Sequence, residues 1–238
     1  MNKTQVMALL RSHKDERGIE KRRASKPAGL KHFGIGLTTL RKLGKQIGRD
    51  HELALKLWES DVYDAKALAL LIDDPKKITR EQAESQVEKV DVGFLSHIFS
   101  SCDASLAKTP FVVELADDWI NSKGLERRCC GYGLLYEVSK FTSKKAPENA
   151  HFLSHIARIK KSYLKEKPPV HMPMGVALMG IGKRNATLNA AALKVAKAIG
   201  PIENPSSGEH CEPLDVAKHL STERLRKKLG IKPYRLPT

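Results

Sequence analysis

The spacing of the apolar residues is what most constrains the fold of this chain. Val6, Leu9 and Leu10 share one helical face, as do Leu37, Leu40, Leu43 and Ile47, then Leu53, Leu57 and Trp58. Recurrence at three and four residues is the signature of a helix with one buried stripe. Alternating Val/Ile/Thr runs bounded by turn residues are missing, so no sheet is expected. The punctuation agrees with helices. Asp50 reads as an N-cap, Pro75 stops the apolar run YDAKALALLIDDP, and Thr79-Arg80-Glu81-Gln82 fits a capping box. Further helices are expected over 91–99, 110–120, 125–138, 147–164, 172–181, 187–199 and 215–229. Lys167-Pro168-Pro169 reads as a break and 200–215 as a loop. Helices of roughly 10–16 residues joined by short turns pack as antiparallel pairs. Pairs recurring about every 40 residues have the period of a HEAT or armadillo array. The expected fold is all-α, an α-solenoid of HEAT-like antiparallel helix pairs. It is expected to fill 1–222 as a single domain, with 223–238 a basic helix end and tail.

Charge narrows the class of partner. The 238 residues carry a net charge of +15, with +9 in residues 1–50 and +8 in residues 151–200. Two basic blocks flanking a neutral-to-acidic middle attract polyanions. Aromatics are only 5% of the chain, so stacking on single-stranded bases is disfavoured against contact with duplex phosphates. At 41% hydrophobic and 29% charged, the composition excludes wholesale disorder. No window has the length of apolar chain that spans a bilayer, and the N-terminus reads as an amphipathic helix rather than a secretion signal. A cytoplasmic, monomeric protein is expected.

Catalytic motifs are sparse. The sequence has no phosphate-binding P-loop, GxGxxG after a strand, HExxH or GxSxG. Cys102, Cys129, Cys130 and Cys211 lack CxxC spacing and read as reduced thiols, Cys211 as structural. Gly175 to Gly182 lies in a helix, where small residues allow close packing. His151 and His155 stand four apart on one helix face, with no third ligand apparent, so they read as surface histidines. No metal and no cofactor are expected. The basic candidates are Arg127 and Arg128 on the helix after Trp119, then Arg158, Lys160, Lys161, Lys165 and Lys167, then Lys183 and Arg184 in a turn. An arginine at a groove clamps phosphate. The alternative for Arg128 is a salt bridge to Asp117, Asp118 or Glu137.

Three stretches carry a resemblance: DHELALKLWESDVYDAKALALLIDDPKKITREQAES, DDWINSKGLERRCCGYGLL and GKRNATLNAAALKVAKAIGPIENPSSGEHCEPLDVAKHL. In order and spacing they are similar to the HEAT-like DNA alkylation repair proteins, the AlkD-type family, over residues 35–220. The resemblance implies a C-shaped solenoid with a basic concave face. It also implies binding of duplex DNA and excision of cationic N3- and N7-alkylpurines by hydrolysis of the N-glycosidic bond. In active members a carboxylate and nearby indole rings stabilise the cationic nucleotide. Arg128 falls at the family's backbone-holding arginine. Where the tryptophans and catalytic aspartate stand, this chain reads Val90-Asp91-Val92-Gly93-Phe94-Leu95-Ser96-His97. The plain register puts Ser96 or His97 at the aspartate. A shift of a few residues makes Asp91 the catalytic carboxylate, with Phe94 beside it. Val176 or a neighbour replaces a later tryptophan. Trp58 and Trp119 read as packing residues.

Three functions are therefore expected to compete. They are an alkylpurine DNA glycosylase using Asp91, a non-catalytic nucleic-acid-binding HEAT protein, and a HEAT protein–protein scaffold. For the first two, Arg127, Arg128, Arg158, Lys160, Lys161, Lys183 and Arg184 are the DNA contacts, mainly to phosphate.

Overall fold

Short apolar-periodic segments, each closed by a cap or a proline, produce helices throughout. The computed structural model describes residues 1–24, 29–91, 93–142, 146–203 and 212–231. Its helices are α1 (Lys3–Ser12), α2 (Glu16–Ala24), α3 (Leu37–Ile47), α4 (His51–Trp58), α5 (Tyr63–Ile72), α6 (Arg80–Val87), α7 (Phe94–Ser100), α8 (Val112–Asn121), α9 (Leu125–Val138), α10 (Asn149–Ser162), α11 (Pro168–Gly182), α12 (Ala186–Ile199), α13 (Val216–Leu220) and α14 (Glu223–Lys228). No strand forms among the described residues; the β-type contacts are two isolated bridges. The chain divides into two compact units, 1–115 and 116–238.

In the first unit α5 packs on α3, α4 and α7. Its residues are buried almost all round, as an apolar helix without a polar face must be. Asp64, fully buried, accepts the amides of Phe33 at 2.6 Å and Ile35 at 3.0 Å, pinning the segment before α3. Asp50 caps α4 through the Leu53 amide, and Thr79 caps α6 through that of Gln82, as their positions predict. Trp58 is buried, stacked on Phe99 at 6.2 Å with the Lys66 ammonium 4.5 Å from its ring.

In the second unit α9 packs against α11, and α12 against α10, α11 and α13. The glycines set these approaches. A Cβ on Gly131 would stand 2.7 Å from the Ile120 amide nitrogen and 3.0 Å from the Trp119 carbonyl carbon. Gly131→Ala is therefore expected to cost about 1–3 kcal/mol, because backbone has to move. A denaturant melt checks this, and an unchanged midpoint contradicts it. The small residues of α11 serve packing, as expected: a Cβ on Gly180 would strike Ser139 and Tyr136, and one on Gly175 would strike Ile202.

Several boundaries differ from expectation. Lys167-Pro168-Pro169 starts α11 rather than only ending what precedes it, since proline fits the first helical turn. The helix also runs through Pro173. The Pro169 carbonyl that this leaves without an amide partner accepts the Cys129 thiol at 3.6 Å. The final helix is two short ones, broken at Ser221 and Thr222. Helix α2 has no apolar stripe, so periodicity did not reveal it. The loop thiol Cys211 and the basic tail from 232 lie outside the described residues.

Candidate nucleic-acid interface

Two of the arginines expected to hold DNA are occupied by the protein itself. Arg128 meets Glu166 as a fork, Nε to Oε2 at 2.9 Å and Nη2 to Oε1 at 2.8 Å. Its Nη1 donates to the carbonyls of Ser122, Lys123 and Gly124, at 3.1, 2.7 and 3.2 Å. The Arg128 and Glu166 side chains are 15% and 14% exposed. The Glu166 hydrogen bond holds the guanidinium above its ordinary value. Burial alone pushes the Glu166 carboxyl up, but the Arg128 hydrogen bonds and the Lys167 amide outweigh it and hold it lower. Such a fork leaves little for a phosphate, which weighs against the clamp role expected for Arg128. The salt-bridge alternative holds, with Glu166 as the partner in place of Asp117, Asp118 or Glu137.

Arg184 is likewise internal. Its Nη1 donates to the carbonyls of Ser139 at 2.6 Å and Phe141 at 2.9 Å, and the guanidinium lies 4.4 Å from the Phe152 ring. It ties the end of α9 to the turn after α11. Burial lowers its pKa, and the same internal bonding weighs against its expected DNA role. Arg127 is half-buried on α9. Arg158, though exposed, donates to Asn121 Oδ1 and to the Ile120 carbonyl at 3.1 Å, closing the end of α8.

The lysines are different. Lys160 and Lys161 close α10 and, with Lys165 and Lys167, are exposed. None of the four ammonium groups is held by an ion pair or hydrogen bond among the described residues. Glu166 is the single acid of residues 151–200, and Arg128 has taken it. Lys183 caps α11, exposed and unpaired; burial of its stem lowers its pKa.

Asp91 stands exposed in the turn before α7. Phe94 is half-exposed, with its ring 5.9 Å from that of His97. The chain's two tryptophans, Trp58 and Trp119, are both core residues, as expected.

The histidine pair reads differently from its sequence expectation. His155 is buried, and its Nε2 lies 2.8 Å from Asp117 Oδ1; His151 Nδ1 is 3.8 Å from Oδ2. Asp117 is the third partner that spacing did not reveal, brought by α8 onto α10. The three offer donor atoms within 4.8 Å, a set suited to a divalent cation. The outer nitrogens, His151 Nε2 and His155 Nδ1, have no partner, whereas metal-bound imidazoles normally hand that proton to an acceptor. The geometry is that of a carboxylate tying two helices. Desolvation keeps His151 below its ordinary pKa against the pull of Asp117. Cys129 is no nucleophile, since burial pushes its thiol up to about 12.

Glu166 was not among the expected site residues. A lone acid inside a basic block was the available signal for Glu166.

The architecture has a known counterpart. One solved structure is described as "a new family of proteins related to the HEAT-like repeat DNA glycosylases with affinity for branched DNA structures". It superposes over 99% of each chain with a TM-score of 0.82 at 21% identity, so the fold here is the HEAT-like helical repeat. Uncharacterized proteins of Listeria monocytogenes and Listeria innocua are 25% and 24% identical, covering 85% and 84% of this chain and 88% and 87% of theirs. The model of the DNA alkylation repair enzyme family matches residues 6–204, and this protein belongs to that family.

Proposed function

We propose that this protein binds duplex and branched DNA through the phosphate backbone, without excising a base. The observation that carries this is the set of exposed, unpaired cations between the last turn of α10 and the start of α11, Lys160, Lys161, Lys165 and Lys167. Exposed ammonium groups release condensed counterions from DNA when they meet its phosphates, and that release is sequence-independent. The fold relative described as having affinity for branched DNA supports extending the reading beyond linear duplex. No helix among the described residues is long and apolar enough to cross a membrane.

Excision of a cationic purine needs a carboxylate and aromatic faces where water is scarce, because charge stabilisation weakens in high dielectric. Asp91 is exposed and both indoles are committed to the core. One feature favours excision as a second reading: Phe94, half-exposed, three residues after Asp91. Single-turnover release of N7-methylguanine and N3-methyladenine from methylated duplex separates the two. Binding with release at the spontaneous rate is expected. Faster release that Asp91→Asn abolishes would replace the first reading by the second.

A further inference from the structure

A second cationic feature lies where α11 ends. A cleft of about 340 Å³ is lined by Lys183, His219, Thr222, Arg224, Leu225 and Lys228. Three of these are cationic side chains, a fourth is an imidazole, and no carboxylate among the described residues lines the space. None of Lys183, His219, Arg224 and Lys228 has a side-chain ion pair or hydrogen bond among the described residues. This contrasts with Arg128 and Arg184, whose donors are consumed internally. Arg224 and Lys228 stand four apart on α14, so they share one face. Like charges at that spacing repel, and nothing among the lining residues relieves them.

The helix ends that carry the cleft are joined by buried contacts. Asn189, buried in α12, donates to the Gly182 carbonyl at 2.9 Å and to the Leu220 carbonyl at 3.2 Å. It therefore joins the end of α11 to the end of α13. Leu220 packs against Gly182, where a Cβ would meet its methyl groups at 2.7 Å. Leu225, nearly buried, forms part of the lining.

We propose that this cleft is a phosphate-binding site that seats the sugar–phosphate backbone of DNA, with Lys183, Arg224 and Lys228 as its cationic contacts. The Thr222 hydroxyl and the His219 ring add further polar groups to the lining. The space would hold roughly ten waters, enough for more than one phosphate, so it suits a length of strand rather than a lone ion. Arg224 supplies a planar fork and the two lysines supply point charges. The inference deepens the DNA-binding reading and rests on it for the identity of the ligand.

The test uses the full chain, with Arg224→Gln/Lys228→Gln and, separately, Lys183→Gln. All three are exposed positions, and circular dichroism confirms folding. Pyrophosphate is titrated by NMR, and duplex and four-way-junction DNA by fluorescence anisotropy across a salt series. The parent is expected to bind pyrophosphate and the double variant to bind at least tenfold more weakly. The slope of log affinity against log salt for DNA should flatten by about 1.8 in the double variant, about 0.9 per phosphate contact. Pyrophosphate binding at the cleft without DNA binding by the parent would sink the DNA reading and keep the anion site. DNA binding with equal slope and affinity in parent and variants would overturn the cleft, as would absence of both ligands.

Discussion

Arg128→Ala is expected to melt well below the parent while, once folded, keeping its DNA affinity. The substitution removes a two-pronged bond to Glu166 and the donor shared by the carbonyls of Ser122, Lys123 and Gly124. Glu166, 14% exposed, is left as a desolvated carboxylate without its partner. Breaking a buried pair from one side costs about 3–5 kcal/mol and a surface pair under about 1. This pair lies between, and about 2–4 kcal/mol is expected. For a protein of this size each kcal/mol moves the melting temperature by about 2–4 °C. Acid should narrow the difference. The Glu166 carboxyl is held below its ordinary value, so its contribution is complete above about pH 4.3. That contribution is lost as the pH falls through the lowered value, so the gap between parent and variant should narrow there. Arg128→Lys should recover only part of the loss, since an ammonium cannot form the fork. Thermal melts at neutral and acid pH check this. An unchanged melting temperature with lost DNA binding would restore the phosphate-clamp role.

The second large effect is on binding. Lys160→Glu/Lys161→Glu is expected to leave stability within about 0.5 kcal/mol, because both side chains are exposed and unpaired. DNA affinity should fall by about tenfold or more per reversed charge, on the order of 1.4 kcal/mol each. The salt slope should flatten by roughly one per contact removed. The loss should be uniform across sequences, because phosphates carry no base identity. Anisotropy titrations on two unrelated duplexes check both points. A loss of affinity that differs between the two duplexes would place these lysines at base edges instead.

The fold was legible because burial and periodicity are local properties. Leu37 to Ile47 declares its buried stripe within a few residues, Leu125 to Val138 follows a polar turn, and both helices form over those spans. The boundary at Pro168 was misread because a proline pair breaks one helix and opens the next with equal ease. Helix α2, with almost no apolar residue, offered no period. The interface was less legible because pairing is long-range. Arg128 and Glu166 lie 38 residues apart, as do Asp117 and His155. Nothing in a linear sequence says which cation meets the single acid of a basic block. Arg128 and Lys160 look alike as basic residues. Folding commits the first to carbonyls and a carboxylate and leaves the second facing water.

The most direct test of backbone binding is the affinity of the unaltered protein for an unmodified duplex and for a four-way junction of matched length, measured from about 50 to 200 mM salt. The expected result is saturable binding to both whose logarithm falls linearly with log salt, with a slope corresponding to several phosphates at about 0.9 each. A flat salt response, or no binding to either DNA at the lowest salt, would contradict it.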